Sequence, residues 1–351
     1  MNERMIKGQT VGRIESVDLF RFAAISAVIV LHTDTHGKAS FANADFWMYF
    51  SVFVDQLARF AVPFFFVISG YFWGLKVRKE GTPIPASLSM GKRILAIFIA
   101  WSFIYLFPID HNFAGESALG LVKAAYWNAR EQANDPLTLV MQGTKVHLWF
   151  LVGLLCSISI STLLVKYGRV RLLVAFAVVL YVTGLMAKAY SGTPLGLHMD
   201  FNTRNGPFFG TIFFVSGYLL SNFRPDERWF GWGMLILGFG YVLHFSEIYF
   251  LWRYYGASPY QDYVVGTYFI GIGAALASLS NHPFLRLAIL SSLGRMTLGI
   301  YAIHFVFVDL LKQSFKAWNL PWGFYFLAVL VLSVASAMML SKNRFTRKLV
   351  I

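Results

Sequence analysis

Apolar residues in this chain neither alternate nor recur in narrow stripes; they run in long blocks separated by short polar, Pro- or Gly-containing breaks. A helix crossing a bilayer needs about 20 mostly apolar residues. Ten blocks approach that length, at residues 17–35, 48–74, 93–109, 147–165, 170–189, 207–221, 230–250, 262–280, 294–312 and 322–340. The pattern predicts an all-α, polytopic membrane protein of about ten transmembrane helices. Residues 1–351 are expected to form a single integral membrane domain with no fused soluble domain. The longest polar interval, 110–146, holds Asp110, Glu116, Trp127, Glu131 and Asp135. It suits a cover over a substrate entrance and a plain solvated loop equally well.

Composition agrees: the 351 residues are 57% hydrophobic, 18% aromatic and only 13% charged, against about 25% charged in soluble domains. The net charge of +13 would suggest a nucleic-acid partner in a soluble protein. Here the basic residues report topology, because cytoplasmic loops of membrane proteins collect Lys and Arg. With the N-terminus inside, the inner segments hold nineteen Lys and Arg and the outer segments nine, leaving Arg21 and Arg59 within spans. Both ends are therefore expected in the cytoplasm, with membrane lipids and no nucleic acid as surroundings. Ala42-Asn43-Ala44 looks like a signal-peptide cleavage site, but the first apolar block carries Arg21 and ends well before it, so a retained helix is expected. The single cysteine, Cys156, allows no intramolecular disulfide, and no HExxH or Cys cluster offers metal-ligand spacing.

Ionisable groups inside a membrane are expensive and face the bundle interior or water, so they are functional candidates by default. The first span carries Asp18, Arg21 and His32. Arg21 and His32 are 11 residues apart, which on a helix puts them within about 20° of one face and about 16 Å apart along the axis. Asp18 sits three residues before Arg21, a spacing that permits an ion pair. The unperturbed pKa of His32, about 6.5, suits it to accept and return a proton near neutrality; a hydrogen bond between helices is the plainer alternative. In the second span Asp55 and Arg59 stand at i, i+4, again able to pair. That span continues Phe64-Phe65-Phe66-Val67-Ile68-Ser69-Gly70-Tyr71, and the sixth echoes it with Phe213-Phe214-Val215-Ser216-Gly217-Tyr218. Small Ser and Gly allow close approach of a helix or a ligand, helix packing being the simpler reading. His147-Leu148-Trp149-Phe150 opens the fourth span, where interfacial anchoring accounts for Trp149. Tyr301-Ala302-Ile303-His304 lies within the ninth. His244 and Glu247 share the seventh at i, i+3 with no role assigned.

Taken together these phrases resemble the membrane-bound acyltransferase family 3, whose members acylate glycans and other acceptors. The matching elements are Arg21 with His32, the Phe-Phe-Val-Ile-Ser-Gly-Tyr phrase, His147 to Phe150, and Leu298-Gly299-Ile300-Tyr301-Ala302-Ile303-His304. Arg59-Phe60-Ala61-Val62-Pro63 is also similar to the branch containing the enterobacterial common antigen O-acetyltransferase. The resemblance implies a ten-helix core in the bacterial inner membrane and acetyl-CoA as a cytoplasmic donor substrate, with no permanently bound cofactor and no metal. The acceptor would be a hydroxyl of a glycan or lipid-linked sugar on the outer side. His32 takes the place of the family's catalytic histidine and Arg21 that of its essential arginine. Many members carry two arginines near the start of the third helix; here Lys92-Arg93 follows Met90. Arg21, Lys92, Arg93, Ser69 and Tyr71 are thereby expected at the donor site, with Asp18, Asp55, Arg59, His147, Trp149, Tyr301 and His304 in support. No SGNH-type esterase domain accompanies the spans, so the membrane core would complete transfer alone.

His32 would act as general base on the acceptor hydroxyl or carry the acetyl group itself. Guanidinium groups suit CoA phosphates through paired hydrogen bonds. The rival reading is a transporter or flippase of a lipid-linked glycan or small solute, which also uses buried charges. The two Ser-Gly-Tyr helices run in the same direction, so their echo does not make an inverted repeat.

Overall fold

The computed structural model describes residues 14–33, 46–108, 117–318, 320–344 and 346–347. The Ala42-Asn43-Ala44 motif, Asp110 and Glu116 lie outside them. Among the described residues the chain is all-α, with no strand. The helices are α1 (Glu15–Thr33), α2 (Phe46–Ala58), α3 (Ala61–Glu80), α4 (Pro83–Ile104), α5 (Ala118–Ala133), α6 (Pro136–Gln142) and α7 (Trp149–Lys166). They continue with α8 (Val170–Met186), α9 (Pro207–Leu220), α10 (Arg228–Tyr255), α11 (Val265–Leu279), α12 (Ala288–Gly294), α13 (Thr297–Ala317) and α14 (Trp322–Lys342). Seven helical spans among the described residues are long and apolar enough to cross a membrane, α2 and α3 counting together, and α8, α9 and α11 are shorter apolar helices. In chain order these match the ten blocks of the sequence, and the protein is a multi-pass membrane protein. Large apolar side chains such as Leu235, Phe239 and Val242 on α10 face outward, as a lipid-facing surface requires.

Two boundaries differ from the sequence reading. The block 48–74 is two helices that meet at a turn over Arg59 and Phe60. Pro63 explains the break: it has no N–H to bond the carbonyl of Arg59, and its ring crowds that carbonyl. The third span begins at Pro83 rather than near residue 93, because proline is pre-organised for the first helical turn. Lys92 and Arg93 therefore sit midway along α4 and not at its start; both are exposed. The interval 110–146 is also not plain loop, since it contains α5 and α6, although α5 buries no residue.

The repeated Ser-Gly-Tyr phrases are a packing device. A Cβ on Gly70 of α3 would collide with the backbone of Phe214, and one on Gly217 of α9 with the backbone carbonyl of Val67. The two helices thus pack backbone to backbone, which only glycine permits. α1 lies inside the bundle, against α2, α3, α11, α12, α13 and α14. Its first turn is pinned by Ser16 donating to the Ser278 carbonyl (2.5 Å) and by Ser291 donating to the Glu15 carbonyl (3.0 Å). Gly294 of α12 abuts the backbone of Asp18 so closely that no side chain would fit. With its start fixed and its helix unbroken, α1 projects Arg21 near one end and His32 near the other.

Candidate active site

At the start of α1, Arg21 Nη1 donates to Asp18 Oδ1 at 3.0 Å. The carboxylate is nearly covered, with 6% of its side chain exposed, while the guanidinium keeps 32%. The guanidinium lies over the Phe72 ring, 5.3 Å from its centroid, a cation–π arrangement. Arg93 is close enough to act on it electrostatically. Asp18 thus holds a cation whose side chain stays about a third exposed. Ser69 is half-buried and Tyr71 is buried against Phe72, so these two lie on the same helix as the residue beneath Arg21.

At the other end of α1, three histidines from distant parts of the chain meet. The His32 and His304 ring centroids are 5.4 Å apart, and those of His304 and His147 are 5.0 Å apart. Phe305 touches both neighbours, 4.6 Å from His32 and 4.6 Å from His147. His32 is half-buried; His147 and His304 are buried. Tyr301 ties the group to the fourth span, its hydroxyl donating to the His147 carbonyl. Tyr105 packs its ring edge-on to His147 and donates to the Ala302 carbonyl at 2.6 Å. Neither ring nitrogen of His147, nor Nε2 of His304, has a hydrogen-bond partner among the described protein groups. A buried polar atom left unpaired costs about 1–3 kcal/mol, and three in one cluster mark a place where packing has not been optimised for stability.

Beside this cluster lies an ion network. Arg59 grips Asp55 through Nε and Nη2 at 2.7–3.1 Å and reaches Asp262 through Nη1 at 2.9 Å. Lys188 and Arg204 also bind Asp262, at 2.9 and 3.2 Å. Burial would raise the Asp262 carboxyl, but Arg204, Arg59 and Lys188 outweigh it and hold the group well below the ordinary carboxylate range. Arg204 lies over the Trp149 ring at 5.0 Å, and Trp149 is buried against Phe66 and Phe209. Trp149 is therefore a buried platform for a guanidinium and not an interfacial anchor. Lys145 forms an ion pair with Asp309 and lies over Phe305.

His244 and Glu247 prove to be structural. His244 Nε2 meets Gln56 Oε1 at 2.9 Å and Nδ1 meets Thr267 Oγ1 at 3.1 Å. Thr267 Oγ1 accepts from the Val264 N–H at 2.9 Å, and Gln56 donates to Asp55 at 2.8 Å. The partners assign the tautomer: Thr267 donates to Nδ1, and Nε2–H donates to the Gln56 carbonyl oxygen. Glu247 accepts from the Tyr190 hydroxyl and from the Val265 and Gly266 N–H groups.

The arrangement offers an anion-binding cation at one end of a helix and a proton-accepting imidazole, walled by aromatic rings, at the other. A family model described as an acyltransferase domain, that of acyltransferase 3, matches residues 14–342. The chain belongs to the acyltransferase 3 family. The match runs from just before α1 to the end of α14. Two curated proteins of Enterococcus faecalis, each named amino-acid racemase, are 28% identical to it over 218 and 221 residues. Those segments cover 59% and 58% of this chain but only 28% and 29% of the two proteins, so this chain is similar to a minor part of each. No solved structure matches.

Of the sequence-predicted residues, the structure brings His32, His147, Tyr301 and His304 together, joins Asp55 to Arg59, and places Trp149 beneath Arg204. Arg21 stays with Asp18 at the far end of α1. Asp262, Arg204, Lys188 and the Lys145–Asp309 pair were not anticipated. Asp262, Arg204, Lys188 and Lys145 lie in or next to connecting segments, where an ionisable residue reads as solvated, while Asp309 lies within α13; no local spacing links them. Phe305 adjoins His304 in sequence but gives no sign of standing between two imidazoles. Among the described residues no group of His, Cys, Asp or Glu is arranged to hold a metal.

Proposed function

We propose that this acyltransferase moves the acetyl group of cytoplasmic acetyl-CoA to a hydroxyl of a cell-surface or lipid-linked polysaccharide on the outer side of the bacterial inner membrane. The observation that carries the reading is the placement of His32 and Arg21 on one unbroken, buried helix, about three turns apart. Arg21, anchored by Asp18, with Lys92 and Arg93 on α4, supplies cations for the CoA phosphates; Ser69 and Tyr71 line the adjacent part of α3. Pantetheine then runs along α1 to the histidine cluster. His32 takes the proton of the acceptor hydroxyl as its oxygen attacks the thioester carbonyl. The C–S bond breaks, and the CoA thiolate leaves with that proton as the free thiol. The excess of basic residues in the inner segments is accounted for by topology alone, so the cytoplasmic donor rests on Arg21 within the span.

The amino-acid racemase activity named for the two relatives is not carried over to this chain, because the shared segment is under a third of their length. The assay is direct: membranes containing the protein and native glycans are incubated with acetyl-CoA radiolabelled in the acetyl group. Base-labile label in the glycan fraction, absent without the protein, is the expected result. Undiminished acetyl-CoA and unlabelled glycan, with movement of a lipid-linked glycan across vesicles instead, would establish the flippase reading in its place.

A further inference from the structure

A general base of this kind works best when a second group orients it and stabilises the cation it becomes. The usual choice is a carboxylate. Here the described carboxylates near the cluster are committed elsewhere: Asp262 to Arg59, Arg204 and Lys188, and Asp309 to Lys145. His304 is differently placed. Its Nδ1 lies 2.6 Å from the Tyr301 carbonyl oxygen, and a carbonyl only accepts, so Nδ1 carries the ring proton. In the neutral ring Nε2 is therefore a bare acceptor, fully buried, with no partner among the described protein groups. Two imidazoles neighbour it: His147, edge-on at 73° with centroids 5.0 Å apart, and His32, tilted at only 32° with centroids 5.4 Å apart. The His304 ring is fixed by its bond to Tyr301, whereas the terminal torsion of His32 is broad. Turning the His32 ring about that bond brings the two edges together, as catalytic hydrogen bonds commonly tighten once substrate is bound.

We propose that His304 is a positioning residue for His32. Its Nε2 accepts the N–H of His32, which fixes the His32 tautomer so that the opposite ring nitrogen is bare and faces the acceptor hydroxyl. When that nitrogen takes the hydroxyl proton, the resulting imidazolium donates to His304 Nε2. The His304 ring remains neutral and keeps its own proton on Nδ1; the transferred proton passes from His32 to the departing sulfur. Phe305 packs against His32, His304 and His147 and walls the pair on one side. The inference rests on the acyl-transfer reading above.

Two substitutions separate this role from a packing role. In His304→Asn the side-chain amide N–H overlays Nδ1 and retains the bond to the Tyr301 carbonyl, but the Nε2 acceptor is lost. In His304→Gln the carbonyl oxygen reaches the Nε2 position and the acceptor is kept. With radiolabelled acetyl-CoA and glycan-bearing membranes, His304→Asn is expected to lower kcat about 10–100-fold, the worth of one hydrogen bond to a cation. The KM for acetyl-CoA and the thermal midpoint should be unchanged. His304→Gln, per folded molecule, should retain more kcat than His304→Asn. Wild-type kcat in His304→Asn would overturn the proposal, as would a His304→Gln rate equal to or below that of His304→Asn. If the wild type itself transferred no acetyl group, the acyl-transfer reading would fall first and this inference with it.

Discussion

Two histidine environments in this membrane domain differ in one physical respect. His244 sits between α2, α10 and α11 with both ring nitrogens bonded, and its partners are bonded in turn back to Asp55 and the Val264 N–H. In the cluster of His32, His147 and His304, His147 and His304 are just as buried, yet three of their ring nitrogens have no protein partner among the described residues. Burial of a histidine in a membrane interior therefore does not by itself mark function. What marks it is the unfilled hydrogen-bonding capacity that remains after packing. A satisfied network is built for stability, and an unsatisfied one retains donors and acceptors for a reaction.

This contrast can be broken in several places. Replacing His32 with Gln is expected to reduce acetyl transfer by about 10²–10⁴-fold, the range for loss of a general base, with the thermal midpoint nearly unchanged; radiolabel assays on matched amounts of folded protein check both. Asp262→Asn leaves Arg59, Arg204 and Lys188 without their shared carboxylate, and removing one partner of a buried pair destabilises by about 3–5 kcal/mol. A large fall in the thermal midpoint of the detergent-solubilised protein is the measurement. Arg21→Gln should weaken acetyl-CoA binding by about tenfold or more while leaving stability near wild type, since charge-assisted bonds to phosphate are worth about 1.5–3 kcal/mol; equilibrium binding of the donor reads this out. His244→Ala strands Gln56 and Thr267 and should lower stability by about 1–3 kcal/mol, with kcat per folded molecule retained.

Much of the fold was legible because a hydrocarbon core demands long apolar blocks, and ten such blocks in order became seven membrane-length helical spans and three shorter apolar helices. The break at Pro63 and the start at Pro83 were present as residues, but a hydropathy reading runs through the first and begins late at the second. Arg21 with His32 and Asp55 with Arg59 were legible because helical spacing converts sequence distance into a shared face. The meeting of His32 with His147 and His304 was not, because it depends on how α1, α7 and α13 pack. The α3–α9 contact shows the same limit: the small residues announced close approach, but not that Gly70 would meet the Phe214 backbone and Gly217 that of Val67. Asp262, Arg204 and Lys188 were invisible as a site because each alone resembles an ordinary loop charge.

The central claim, that the reactive histidines are those of the cluster holding unpaired ring nitrogens and not the buried, fully bonded His244, is tested most directly by one paired rate measurement. Acetyl transfer from radiolabelled acetyl-CoA is compared between His32→Gln and His244→Gln at equal concentrations of folded protein. The account predicts a rate at least about 100-fold lower for His32→Gln and near wild type for His244→Gln. Comparable rates in the two variants would contradict it.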